Sequence, residues 1–151
     1  MGSRTAGAGV IAAALSLALP AAHAADAITD AYARGAIVYE RCAACHALQT
    51  DRTGPRHCGL IGRRAGSVPG FDYSPAMRNS GLVWTEANLD RFLKAPMDVV
   101  PGTAMGYDGI KNDAERHDLI VFLRLAGRSE QCSTTKTAPS LRNQAPGRTP
   151  Y

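Results

Sequence analysis

Residues Cys42-Ala43-Ala44-Cys45-His46 constrain this chain more than any other stretch, because they set two thiols one helical turn apart with an imidazole directly after the second. That spacing is the attachment pattern of a c-type haem. Each cysteine adds to one porphyrin vinyl group, and the histidine then lies under the iron as its proximal ligand. On the cysteine pair alone three other readings stay open: a redox dithiol, half of a zinc site, or a disulfide. No second Cys-x-x-Cys follows, which weighs against zinc.

At 151 residues the chain holds at most one domain. Residues 1–24 carry Arg4, an apolar run over 10–19 and a closing Ala22-His23-Ala24, the pattern of a cleaved secretory signal. The run falls well short of the ~20 residues needed to cross a bilayer, so no stable membrane insertion is expected. Cleavage after Ala24 leaves 16 basic and 13 acidic side chains, a formal charge of +3. With no Lys/Arg run, nucleic acid is not an expected partner, and mild positive charge suits loose docking to acidic protein surfaces. Export, here to the periplasm, also places the cysteines where thiols oxidise unless committed elsewhere. A haem takes two of the four cysteines, leaving Cys58 and Cys132.

Helical spacing begins at residue 26, with Ile28, Tyr32, Gly35, Val38, Tyr39 and Cys42 gathered on one face, so a helix delivers the haem motif. Gly35 inside it costs about 0.8–1 kcal/mol relative to alanine and points to close approach of another helix. From His46 to Thr85 the chain is dense in Gly and Pro and reads as consecutive turns, not strands. A loop this long needs an organising surface, which a haem offers. Thr85 predicts an N-cap for a helix over Glu86–Lys94 that Pro96 stops, and Pro101-Gly102 reopens the loop. Asn112 or Asp113 caps the last helix, with Glu115 placed as in a capping box, Leu119, Phe122, Leu123 and Ala126 as its buried stripe, and Gly127 at its end. The expected plan is a leader over 1–24, one domain over 25–132 and a disordered polar tail over 133–151.

Over residues 35–127 the chain resembles the class I, mitochondrial-type cytochromes c of bacteria. The resemblance is carried, beyond the haem motif, by Thr53-Gly54-Pro55, Gly59-Leu60-Ile61-Gly62-Arg63, Pro69-Gly70-Phe71-Asp72-Tyr73, Gly81-Leu82-Val83-Trp84, Pro101-Gly102-Thr103-Ala104-Met105 and Asp118-Leu119-Ile120. It implies an all-α fold of three main helices with long turn-rich loops wrapped around one covalent haem c. It further implies that Met105 is the distal ligand to the iron opposite His46, that the Pro55 carbonyl accepts the other ring N–H of His46, and that Arg63, Tyr73 and Trp84 donate to a buried haem propionate. Thr103 matches a residue tying the Met105 loop to that region, and Gly35 and Phe122 match the crossing of the first and last helices. Met77 reads as core, Met97 as a weaker rival to Met105, and neither His57 nor His117 as a ligand.

The chain also departs from that family. Phe92 stands where a tyrosine commonly donates to the methionine sulphur, Ala104 replaces a lysine, and the docking lysines are thin, leaving Arg41 with Arg52 and Arg56 as docking cations. The resemblance implies a soluble, monomeric electron carrier, not an enzyme, between a quinol–cytochrome c oxidoreductase and a terminal oxidase, reductase, photosynthetic reaction centre or periplasmic dehydrogenase. A peroxidase-like haem enzyme, or a gas-binding protein with a displaceable Met105, is the alternative. Because haem commits Cys42 and Cys45, and because the turn holding Cys58 lies near the end of the last helix in this family's fold, a Cys58–Cys132 disulfide is expected. Two independent thiols are the other reading.

Overall fold

The computed structural model describes Gly2 and residues 20–134, with side chains from 24 to 133. The expected leader lies outside the described residues up to 19, and the expected tail from 135 onward. Among the described residues six helices follow in chain order: α1 Pro20–Tyr39, α2 Pro75–Asn79, α3 Glu86–Lys94, α4 Pro96–Val99, α5 Asp113–Ala126 and α6 Glu130–Thr134. Among the described residues there is no named strand, only an isolated antiparallel bridge between Arg64 and Val83. The fold is all-α, with α1, α3 and α5 as its main helices.

Helix α1 starts upstream of residue 26 and runs through the expected cleavage point after Ala24. Its alanine-rich first half has the propensity to extend that far. The buried face is also narrower than the spacing implies. Ala31 and Val38 are buried beside Gly35, whereas Ile28 and Tyr32 keep 47% and 36% of their surface. Gly35 explains the geometry. A Cβ there would run into the backbone carbonyl of Asp118 and the Phe122 side chain, so only glycine lets α1 press its backbone onto α5.

The caps and stops read for α3 and α5 hold, apart from one half of the capping box. The Thr85 hydroxyl accepts from Asn88 N at 3.1 Å, and α3 stops ahead of Pro96. Asn112, not Asp113, caps α5, accepting from Ala114 N and Glu115 N at 2.9 and 3.1 Å. The return half of the capping box is not made, because Glu115 turns to Arg41 in a two-pronged pair at 2.7 and 2.9 Å. Leu119, Phe122, Leu123 and Ala126 are all buried.

The turn-rich interval contains one unexpected helix, α2, capped by the Ser74 hydroxyl and entered at Pro75. Helix α4 likewise occupies part of the stretch expected to be loop, and α6 follows α5. The two sides of the interval are stitched by Gly62 N to Trp84 O at 3.0 Å, Trp84 N to Arg63 O at 2.9 Å and Ala65 N to Leu82 O at 2.9 Å. At the far end Gly59 N bonds Gly127 O at 2.9 Å, and Cys58 is disulfide-bonded to Cys132 with alpha carbons 5.3 Å apart.

One buried cation escaped the sequence reading. Arg116, 3% exposed, reaches Asp90 on α3 at 2.8 Å, Asp113 at 2.6 Å and the carbonyls of Ile110 and Lys111 at 2.9 and 3.2 Å. It locks the segment entering α5 against α3. An arginine one turn into a capped helix reads as surface, and only the loop folded over it makes it core.

Replacing Gly35 by alanine is expected to lower the unfolding free energy by about 1–3 kcal/mol through overpacking, measured by urea titration. Asp118 supplies a pH test. Its buried carboxylate is held below the usual carboxylate range first by the hydrogen bonds from Arg34, at 2.6 and 3.1 Å. A depressed folded value contributes stability above the unfolded carboxylate pKa of about 4, and that stability is lost as pH falls through the folded value. Asp118→Asn is expected to flatten the acid-side loss in urea titrations carried from about pH 5 downward.

Candidate cofactor site

Beyond Tyr39 the chain leaves α1 in tight turns, with Cys45 N and His46 N both bonding Cys42 O at 3.1 and 2.9 Å. That geometry turns Cys42, Cys45 and His46 into one cavity, walled by Leu60, Leu89, Phe92, Leu93, Leu119 and Leu123. Both thiols are free. Burial pushes the Cys42 thiol up, the opposite of the depressed thiol that a dithiol redox centre needs. Among the described residues no group of three or more His, Cys, Asp or Glu is placed to hold a metal ion, which leaves the zinc reading without ligands.

His46 is oriented before any metal arrives. Its Nδ1 lies 2.8 Å from the Pro55 carbonyl, so that nitrogen carries the proton and Nε2 is left as the lone-pair donor. Burial lowers the His46 pKa, with the Pro55 bond opposing it, and the ring stays neutral and able to ligate. Gly54 permits the arrangement, because a Cβ there would strike the imidazole. The loop is then fixed by Gly54 N to Cys45 O at 2.7 Å and Cys58 N to Leu48 O at 2.7 Å.

Met105 lines the same cavity, half-buried, together with Thr103. The buried Thr103 hydroxyl accepts the Met105 N–H at 3.3 Å, and Ile110 N to Leu93 O at 2.8 Å secures the loop onto α3. Met77 is buried and also lines the cavity, whereas Met97 is 50% exposed and does not.

The polar residues expected at a propionate come together through the 62–65 and 82–84 stitching. Arg63 donates from its two terminal nitrogens to the carbonyls of Cys58 and Arg56, each at 2.9 Å, and its Nε is buried with no partner. Burial lowers the Arg63 pKa, the cost of an unneutralised cation. Trp84 is 7% exposed and packs on Phe92 at 5.0 Å, with no acceptor for its indole N–H among the described residues. Tyr73 lines the cavity beside Phe71, ring centroids 4.7 Å apart, and burial raises its pKa. A buried guanidinium N–H and an indole N–H without partners are the donors a carboxylate requires.

His57 lines the cavity and Tyr39 lies behind it, in roles that no local sequence signal marked. His57 stacks on His46 with ring centroids 4.3 Å apart, and burial, then His46 and Arg63, hold it well below the usual imidazole range. Tyr39, pushed up to about 12 by burial, lies against it. His117 stays exposed on α5 and takes no part. The donor set fits a covalently held haem: two free thiols, one neutral imidazole, a thioether, apolar walls and unpartnered donors for an anionic edge.

Similarity to known proteins agrees with this geometry. The chain is 46% identical over 93 residues to cytochrome c2 of Rhodomicrobium vannielii, covering 60% of this chain and 74% of that protein. It is 39% identical over 94 residues to cytochrome c-550 of Bradyrhizobium diazoefficiens, covering 60% and 69% respectively. Among solved structures, cytochrome cH from Methylobacterium extorquens superposes with a TM-score of 0.61 at 35% identity, over 62% of this chain and 97% of that one. Residues 32–126 match the family model described as Cytochrome c, and since that family holds its c-type haem covalently, the cavity is a haem pocket and the chain belongs to the cytochrome c family.

Proposed function

We propose that this chain is a soluble, exported one-electron carrier of the periplasm, in which His46 and Met105 would hold the haem iron. The observation that carries the reading is that a pre-oriented imidazole and a tethered thioether line one apolar cavity. Bound there, the haem supplies one-electron chemistry, its iron alternating between ferrous and ferric.

The chain's own residues do the rest. The Pro55 carbonyl fixes the His46 tautomer and strengthens its donation. Met105 offers a soft neutral sulphur that favours the ferrous state. Leu60, Leu89, Phe92, Leu93 and Leu119 exclude water, and Arg63 with Trp84 and Tyr73 faces the propionate charge. Two ligands from the chain leave no position for a substrate. What α3 and the methionine loop contribute to the cavity lining, Leu89, Phe92, Leu93, Thr103, Ala104, Gly106 and Tyr107 beside Met105, includes no carboxylate or imidazole to act as the acid or base of a peroxidase. Similarity to proteins named cytochrome c2 and c-550 supports the carrier role, and the 1–24 pattern supports export. Donors and acceptors of the kinds set out above, a quinol–cytochrome c oxidoreductase paired with an oxidase, reductase, reaction centre or periplasmic dehydrogenase, fit this reading.

Docking rests less on charge than the sequence suggested. Arg41 at the cavity rim is engaged by Glu115, Arg56 by Asp51 at 2.7 Å and Arg78 by Asp72 at 3.2 Å. Of the 17 basic residues, Arg4, Lys136, Arg142 and Arg148 fall outside 25–132, leaving 13 against 13 acidic ones in the domain. The haem-bearing body is formally neutral.

The oxidised protein is expected to show the weak near-infrared band of sulphur-to-ferric charge transfer. Met105→Ala is expected to abolish it and to make the iron react rapidly with cyanide and peroxide. A band that survives this change and disappears in Met77→Ala would move the ligand to Met77. In stopped-flow electron transfer to an acidic acceptor, Arg41→Ala is expected to slow the reaction by about fivefold or less, the range of an exposed ion pair. A larger loss would restore Arg41 as a docking cation.

A further inference from the structure

His57 is the imidazole besides His46 that lines the cavity among the described residues. The two rings lie face to face, 4.3 Å between centroids and 22° from parallel. The Nδ1 of His57 stands 3.2 Å from the Tyr39 hydroxyl, and the Tyr39 ring meets His57 edge-on at 5.7 Å while its other contact, at 4.9 Å, is with Phe122. Tyr39 is the last residue of α1, three positions before Cys42, so its hydroxyl belongs to the element that delivers the haem cysteines. The backbone of His57 is itself held, its N–H bonding the carbonyls of Ala47 and Leu48 at 3.0 Å.

These contacts restrain different motions. The Pro55 carbonyl holds one nitrogen of His46 but leaves the ring able to pivot about that bond. A flat ring laid across its face removes the pivot, and an aliphatic side chain of the same volume would offer neither a flat face nor a nitrogen for Tyr39. We propose that His57, held by the Tyr39 hydroxyl, is a positioning residue that sets the rotational orientation of the His46 imidazole on the haem iron. The proposal rests on the reading of His46 as proximal ligand.

Orientation of the imidazole plane decides how unpaired spin spreads over the porphyrin of a low-spin ferric haem, and the four ring-methyl proton resonances report that spread. The test is proton NMR of the ferric, haem-loaded full-length protein. Wild-type protein without strongly shifted methyl resonances would fail the ligand reading itself, before any substitution. Given those resonances, His57→Leu is expected to change their spread or order while the near-infrared methionine band persists. Tyr39→Phe is expected to move them the same way by less, and the double variant to match His57→Leu. An unchanged pattern in folded His57→Leu, or shifts that add fully in the double variant, overturns the proposal. Should His57→Leu fail to load haem, Tyr39→Phe and His57→Gln carry the test, and an unchanged pattern in both overturns it equally.

Discussion

The contact at Gly35 is the constraint on which the rest depends. A backbone pressed against the Asp118 carbonyl leaves no slack between α1 and α5, so the end of α1 can lie in only one place relative to Leu119 and Leu123. That end carries the haem cysteines. From there the chain turns through His46 to the 54–58 loop, which Gly59 and the disulfide return to the far end of α5. His46, Cys42, Cys45 and the leucine wall are thus referenced to one helix crossing. An added methyl at Gly35 would displace them together.

What could be read from the residues, and what could not, divides along a physical line. Local chemistry was legible: the Thr85 and Asn112 caps, the stop before Pro96 and the spacing of Cys42, Cys45 and His46 each depend on residues within a turn or two of one another. Gly35 was legible because a glycine inside a helix needs a reason. Glu115 misled because a capping carboxylate that meets Arg41, in the turn just after α1, gains more from a two-pronged ion pair than from a single backbone N–H. Ile28 misled because helical periodicity locates a face but not how much of it a partner covers. Helix α2 rests on one serine cap and a proline, signals equally at home in a turn. The roles of Arg116 and His57 depend on long-range neighbours, and nothing near them in sequence announces burial.

The treatment of charge differs between the two ends of the molecule. Arg116 is buried with every head-group nitrogen engaged, so it binds α3 to α5 without a vacant donor. Arg63 is half-buried, and its Nε is buried with no partner. A buried donor without a partner is costly, and this one belongs to a residue that lines the cavity. The second arginine therefore marks the boundary between what the chain satisfies by itself and what it reserves for an anion it does not encode.

The Cys58–Cys132 bond has a consequence for how the molecule is made. Any two of the four thiols can pair, in six ways, and only the Cys58–Cys132 bond leaves both Cys42 and Cys45 able to form thioethers. The bonded pair is 74 positions apart in sequence, while the haem pair is separated by a single helical turn. The short-range pair meets first in an unfolded chain, because loop closure favours near neighbours. In an oxidising compartment the biogenesis of this protein is therefore a race in which cofactor ligation must capture Cys42 and Cys45, or they must be kept reduced, before they oxidise to each other. The long-range bond closes only when folding has brought the end of α5 to the haem loop, which makes it a record that maturation reached completion.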